Sequence, residues 1–289
     1  MKFSDFKYLA AFIIPFLVYL SISFDYVTSF AAFIFAFVLV PFIEPFFKKS
    51  EKNLSHEEKA HKEVDFFFDL LLYLNIPVVF ILLYLLADKL SQGTSTPVEV
   101  IGYVLSYGTM LGACGINVAH ELGHKNSVFS RVSAIILLIP SFYTHFFIEH
   151  NRGHHKNVAT PEDPATARKN ENLYFFWIRS TLGSYRHAWE LEFRRLAQRS
   201  LPKWHMSNQM ILFSILQLAY SITLILFFGV SIFLILAATG VVSFLFLETI
   251  NYVEHYGLMR KKLSSGRYER VQPWHSWNSN HHLGRIILY

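Results

Sequence analysis

Between Met206 and Leu247 this chain runs for 42 residues without a charged side chain. As a helix at ~1.5 Å per residue that is roughly 63 Å, about twice the ~30 Å of hydrocarbon in a bilayer. The stretch therefore predicts two membrane-spanning helices joined near Gly229. Uncharged runs also cover 8–24, 26–43, 70–87 and 100–119, each about the ~20 residues a crossing requires. Six spans follow, and with them an all-α, polytopic membrane protein. The composition agrees: 53% hydrophobic, 17% aromatic and only 16% charged residues, with a mean hydropathy of +0.31, is unusual for a soluble globular chain. No internal repeat or low-complexity linker interrupts the sequence, so residues 1–289 are expected to form a single integral-membrane domain.

Residues 132–144 are uncharged as well, but thirteen residues give only ~20 Å of helix, too short to cross. The expectation is a re-entrant or half-buried segment that returns to the side it left. With six crossings, all but one of the 26 Lys and Arg then fall on one face. Lys89 lies alone in the opposite loop, and the positive-inside rule assigns the basic face and both termini to the cytoplasm. The net charge of +5 thus concerns one membrane face and anionic lipid, and no nucleic-acid partner is expected. The first apolar run, which contains Pro15 and lacks a small-residue cleavage site, suits a retained helix better than a secretory signal. Cys114 sits among Gly108, Gly112 and Gly115 in the fourth span. A single thiol makes no disulfide framework, and the Gly108-x-x-x-Gly112 spacing favours close helix packing.

The polar segments carry the chemistry. Six histidines fall in three clusters where apolar runs meet polar sequence: His120-Glu-Leu-Gly-His124, Glu149-His150-Asn-Arg-Gly-His154-His155, and Glu254-His255-Tyr-Gly. Residues four apart share one side of a helix, so His120 with His124, and His150 with His154, can each aim two imidazoles at one ion. His155 adds a third ring. Imidazoles and carboxylates leaving a membrane helix are costly unless paired or bound. The first cluster also matches H-E-x-x-H, in which two histidines hold zinc and Glu121 acts as general base, so an intramembrane zinc protease remains open. A catalytic zinc takes three protein ligands, whereas six histidines suggest two metals. His145, Glu121, Glu149, Asp163 and Glu254 could orient the ligand rings or serve as ordinary ion-pair partners. His56 and His61 lack metal spacing, and His187, His205 and His275 read as surface or interfacial residues. Residues 161–164, Pro-Glu-Asp-Pro, must turn the chain after the second cluster. Residues 185–200 predict an amphipathic interfacial helix, and the segment after His255 is expected to fold back as a cap over the clusters.

The strings HELGHK (120–125), EHNRGHHKNVATPEDPATAR (149–168), NYVEHYGL (251–258) and WHSWNSNH (274–281) together resemble the membrane-bound alkane 1-monooxygenases of the fatty-acid desaturase and hydroxylase superfamily. The NYxEHYGL element is the most discriminating, since desaturases share the histidine-box layout but not that string. The resemblance implies six transmembrane helices, two non-haem irons held by His120, His124, His150, His154, His155 and His255, and O2 as oxidant. It further implies an n-alkane substrate hydroxylated to a 1-alkanol, and electrons from rubredoxin and its NADH-dependent reductase. The setting would be a bacterial inner membrane with a cytoplasmic site. The family pattern ends in a box of the form RHxDHH, expected beyond Tyr289, so the chain is read as stopping short of it, with His281 a possible auxiliary. Desaturase and xylene-type hydroxylase chemistry are the neighbouring alternatives. A different class is a non-catalytic membrane protein.

Overall fold

The computed structural model describes residues 3–47, 65–277 and Gly284. The expectations for loop 48–64, with His56 and His61, and for His281 lie outside these residues. Among the described residues the chain is helical with no β-strand; a single antiparallel bridge joins Lys262 to Tyr268. Among the described residues six helices are long and apolar enough to cross a membrane: α1 (Asp5–Ser23), α2 (Tyr26–Phe46), α3 (Phe66–Ser91), α4 (Pro97–His124), α8 (Gln209–Phe228) and α9 (Val230–His255). Three more helices lie between them in sequence: α5 (Val128–Leu138), α6 (residues 146–157) and α7 (Leu173–Ala197). The break between α8 and α9 falls at Gly229, with φ at +85°, a conformation in which any Cβ would be strained.

One expectation gains detail and another shifts. The thirteen uncharged residues from 132 to 144 supply only the end of an eleven-residue helix, α5, and then a turn through Phe142, whose φ is +54°. The interfacial helix predicted over 185–200 instead begins at Leu173, where the Asn172 side chain accepts a hydrogen bond from the Tyr174 N–H and caps it. Its first half escapes an amphipathic search because its polarity is inverted. Ser180, Ser184 and Ala188, small and four apart, face inward, while Tyr174, Phe175, Ile178 and Leu182 are exposed.

The chain divides into two compact units. The first comprises Met1–Ser141, Thr223–Ser243 and Asn280–Tyr289. At one end of its helices, polar groups gather where α1 and α3 finish and α2 and α4 begin. Lys89 pairs with Asp25 at 2.8 Å, the Tyr26 N–H donates to Glu99 Oε1 at 2.8 Å, and Thr96 and Glu99 form a capping box. At the other end Lys125, just past α4, pairs with Asp69 near the start of α3. His120 and His124 are thereby fixed at the end of α4 away from Lys89. Packing is close at Gly108, where an added Cβ would lie 2.6 Å from Val242 Cγ1. That contact is the tight approach foreseen from the glycine spacing.

The second unit comprises Phe142–Ile222 and Phe244–Ser279. Glu192 on α7, fully buried, is its polar knot: it accepts from Arg152 of α6 at 2.7 Å, from Arg195 and from the Gln209 N–H at the start of α8. Burial alone would raise the Glu192 pKa; the Arg195 guanidinium, the Gln209 N–H and Arg152 outweigh it and hold the carboxyl below the usual glutamate range. The segment after His255 does fold back. Gly257 N–H donates to Ala167 O and Arg260 N–H to Ala159 O, which lays residues 257–260 against the loop that follows α6, and Trp277 N–H donates to Glu254 O at the end of α9.

Candidate metal centre

In the first unit, a wide π-turn at Leu111–Ile116 precedes the last two turns of α4. His120 and His124, one turn apart, bring their Nε2 atoms to 3.0 Å with the rings nearly perpendicular. Two ring nitrogens that close can share a proton or a metal ion. Glu121 is exposed and makes no hydrogen bond or ion pair among the described residues, so nothing there shows it orienting a ligand ring.

In the second unit, α6 winds as an α-helix over Phe146–Glu149, as a π-helix over His150–His154, and as an α-helix again to Asn157. The π-turn matters because its i→i+5 bonding widens the helix, so that residue 155 as well as residue 154 stays on the side of residue 150. The ring centroids of His150 and His154 are 5.2 Å apart, those of His150 and His155 4.5 Å, and those of His154 and His155 6.0 Å. His255, at the end of α9, joins them with its ring 5.1 Å from His154. The ligand-competent nitrogens of His150 and His155 lie within 4.8 Å of each other, as do those of His120 and His124.

The residues around this cluster decide what the imidazoles can do. Asp163, buried in the Pro-Glu-Asp-Pro turn, stands with Oδ2 3.0 Å from His154 Nδ1 and is itself held by the Thr166 hydroxyl and the Ala165 N–H. Burial would raise the Asp163 pKa, but His154, Thr166 and Ala165 outweigh it and keep the carboxyl below its usual range. An ionised carboxylate can only accept, so the ring proton sits on Nδ1 and the Nε2 lone pair is left for a metal. For His154 burial opposes the charged form, and the Asp163 carboxylate more than offsets it, leaving a more basic ring. The Nδ1 atom of His255 is buried without a hydrogen-bond partner, as a ring awaiting another bond would be. These observations fit a bound transition metal. An all-imidazole set suits iron, zinc, copper or nickel alike.

The other expected participants are placed differently. Glu149 turns toward α7, where His187 Nδ1 lies 3.1 Å from its Oε1. Burial pushes its pKa up, with His187 opposing. His145 is buried against the rings of Tyr143 and Tyr185, and burial drops its pKa to about 3, so it is neutral. Glu254 is half-buried, and its backbone carbonyl, not its side chain, accepts from the Trp277 N–H. Two histidines read as surface or interfacial make specific contacts: His187 belongs to the Glu149 pair, and His275, buried in a short turn, accepts from the Gln272 N–H at 2.9 Å and meets Glu269 at 3.4 Å. His205 Nδ1 accepts from the Ser207 N–H. The Arg152–Glu192 and His187–Glu149 pairs went unnoticed in the sequence because their members lie 40 and 38 residues apart.

The family model for fatty acid desaturases matches residues 95–289, a span that takes in all six clustered histidines. An alkane 1-monooxygenase from Pseudomonas putida is 37% identical over 251 residues, covering 87% of this chain and 62% of that protein. Alkane 1-monooxygenase 1 of Alcanivorax borkumensis is 38% identical over the same shares. The hydroxylase component of a Pseudomonas putida xylene/toluene monooxygenase is 30% identical over 81% of this chain and 62% of its own length. The chain thus spans less than two thirds of these curated relatives.

Proposed function

This chain belongs to the fatty acid desaturase family, with alkane 1-monooxygenases among its relatives, and from that premise we propose that it is a membrane hydroxylase domain that converts n-alkanes of medium or long chain to 1-alkanols. His120, His124, His150, His154, His155 and His255 would hold two non-haem irons. Bound iron would supply the activation of O2 and the attack on an unactivated terminal C–H bond. The chain's own residues do the rest. Asp163 fixes the His154 tautomer, Arg152 and Glu192 anchor the turn that carries three of the rings, and the apolar spans give a substrate with no polar handle a lipid route. Electrons would come from rubredoxin and its NADH-dependent reductase, since the sequence contains no flavin, haem or iron–sulfur motif. The concentration of Lys and Arg on one side supports a multi-pass protein of a bacterial inner membrane, its site and termini cytoplasmic.

The observation that carries this reading is the collection of His150, His154, His155 and His255 around the Asp163-oriented ring. The test is product analysis on membranes given O2, rubredoxin, its reductase and NADH with octane, hexadecane, xylene or an acyl substrate. 1-Octanol or 1-hexadecanol is expected. Methylbenzyl alcohol alone, or an unsaturated acyl product alone, would replace the proposal with xylene-type hydroxylation or desaturation. One zinc per chain, with peptide cleavage abolished by Glu121→Gln, would replace it with a protease.

A further inference from the structure

Glu248 lies seven residues before His255 on α9, in the second unit, and is 2% exposed. The Tyr143 hydroxyl donates to its Oε1 at 2.6 Å, and Asn251 Nδ2 stands 3.5 Å from the same oxygen. Its Oε2 is buried and makes no hydrogen bond. Among the described residues no Lys, Arg or His forms an ion pair with it. Around it, the hydroxyls of Ser180 and Thr181 on α7 are likewise buried without a well-aligned hydrogen bond, Ser180 in loose polar contact with Glu248 and Thr181 with Tyr143. Tyr143 stacks on Phe146, and Phe146 on His150. His154 lies within electrostatic reach of Glu248.

A carboxylate with one oxygen unpaired, no cation and no solvent is among the costliest groups a protein can bury; a neutral carboxylic acid is not. Closing the Tyr143 hydroxyl needs only Oε1, which leaves Oε2 without a well-formed hydrogen bond beside two buried hydroxyls. We propose that Glu248 carries a proton on Oε2 and is the proton store of the metal centre, with Tyr143 as its positioning residue and Ser180 and Thr181 as the hydroxyls beside it. The second half of this proposal rests on the hydroxylase reading. Hydroxylation follows RH + O2 + 2 e− + 2 H+ → ROH + H2O, the electrons arriving from the external carrier. The Glu248 O–H bond breaks, its proton joins the oxygen atom that leaves as water, and the remaining carboxylate is held by the Tyr143 and Asn251 donors until solvent reprotonates it.

Infrared spectroscopy of the metal-free protein in lipid tests the first half without turnover. A carboxylic-acid carbonyl band is expected at neutral pH, shifted in D2O, absent in Glu248→Gln and displaced in Tyr143→Phe. A band unchanged by both substitutions, or no acid band, overturns the proposal. In the iron-loaded protein, Glu248→Gln is expected to lower turnover by roughly a hundredfold or more and to enlarge the solvent deuterium isotope effect at unchanged iron content, with Tyr143→Phe milder in the same direction. Unchanged turnover and isotope effect in both variants would sink the delivery role. Should no hydroxylation be found in the unsubstituted protein, the infrared result still decides whether Glu248 holds the proton.

Discussion

Asp163 shows how much a single carboxylate can decide. By holding the Nδ1 proton of His154 it fixes which nitrogen faces a metal, and partners of this kind are typically worth about 10- to 100-fold in metal affinity. Asp163→Ala is therefore expected to weaken iron binding by about that factor, read by titration of the apoprotein, with helix content unchanged. Unaltered affinity would mean that the His154 tautomer is set elsewhere. Gly153 makes a second residue-scale point. An added Cβ there would lie 2.6 Å from Glu149 Oε1 and 2.9 Å from the His187 ring. Gly153→Ala should force that pair apart and leave a buried carboxyl unsatisfied, lowering stability by about 1–3 kcal/mol in denaturant unfolding. The histidines were legible because four-residue spacing is a local property of a helix. Neither the His187–Glu149 pair nor the role of Asp163 was fixed by spacing, since a turn and a helix 38 residues distant had to fold first.

At the scale of elements, the apolar runs marked six helices because length and absence of charge are the whole requirement for a crossing. The first half of α7 stayed hidden because lipid-side and core-side chemistry are exchanged there: bulky residues out, Ser180 and Ser184 in. Packing at Gly108 argues that helix approach is set by one missing Cβ. Gly108→Ala would drive a methyl into Val242 and to 3.1 Å from Thr239 O, an overpacking cost of about 1–3 kcal/mol. Adding Val242→Ala should recover part of it, and a double variant no more stable than the single one would refute the contact. Glu192 gives α6, α7 and α8 a common tie with a pH signature. Its pKa is held low in the folded protein, so its contribution is complete above the ordinary glutamate pKa of ~4.3 and fades as pH falls through the lower folded value. Glu192→Gln should thus lower stability at neutral pH by about 1.5–3 kcal/mol and flatten the acid limb of the melting temperature against pH. An acid limb as steep as in the unsubstituted protein would contradict the assignment.

At the scale of the whole molecule, the histidines come from distant stretches, His120 and His124 in one compact unit and the other four in the second. Short-range spacing could say that each set binds metal but not that both serve one centre; only a thermodynamic coupling can. A ligand that binds the folded state alone stabilises it by ~2.7 kcal/mol at a hundred times its dissociation constant, so Fe(II) should raise the unfolding midpoint of the apoprotein. If the two sets form one centre, His120→Ala and His150→Ala each remove most of that rise, and the double variant loses little more than either single one, because residues that share one ligand are not independent. If each set holds its own ion, the losses add. Thermal unfolding in lipid with and without Fe(II), over the four combinations, gives the interaction energy directly. A value near zero would separate the H-E-x-x-H pair from the second and third clusters and remove the basis for one shared centre.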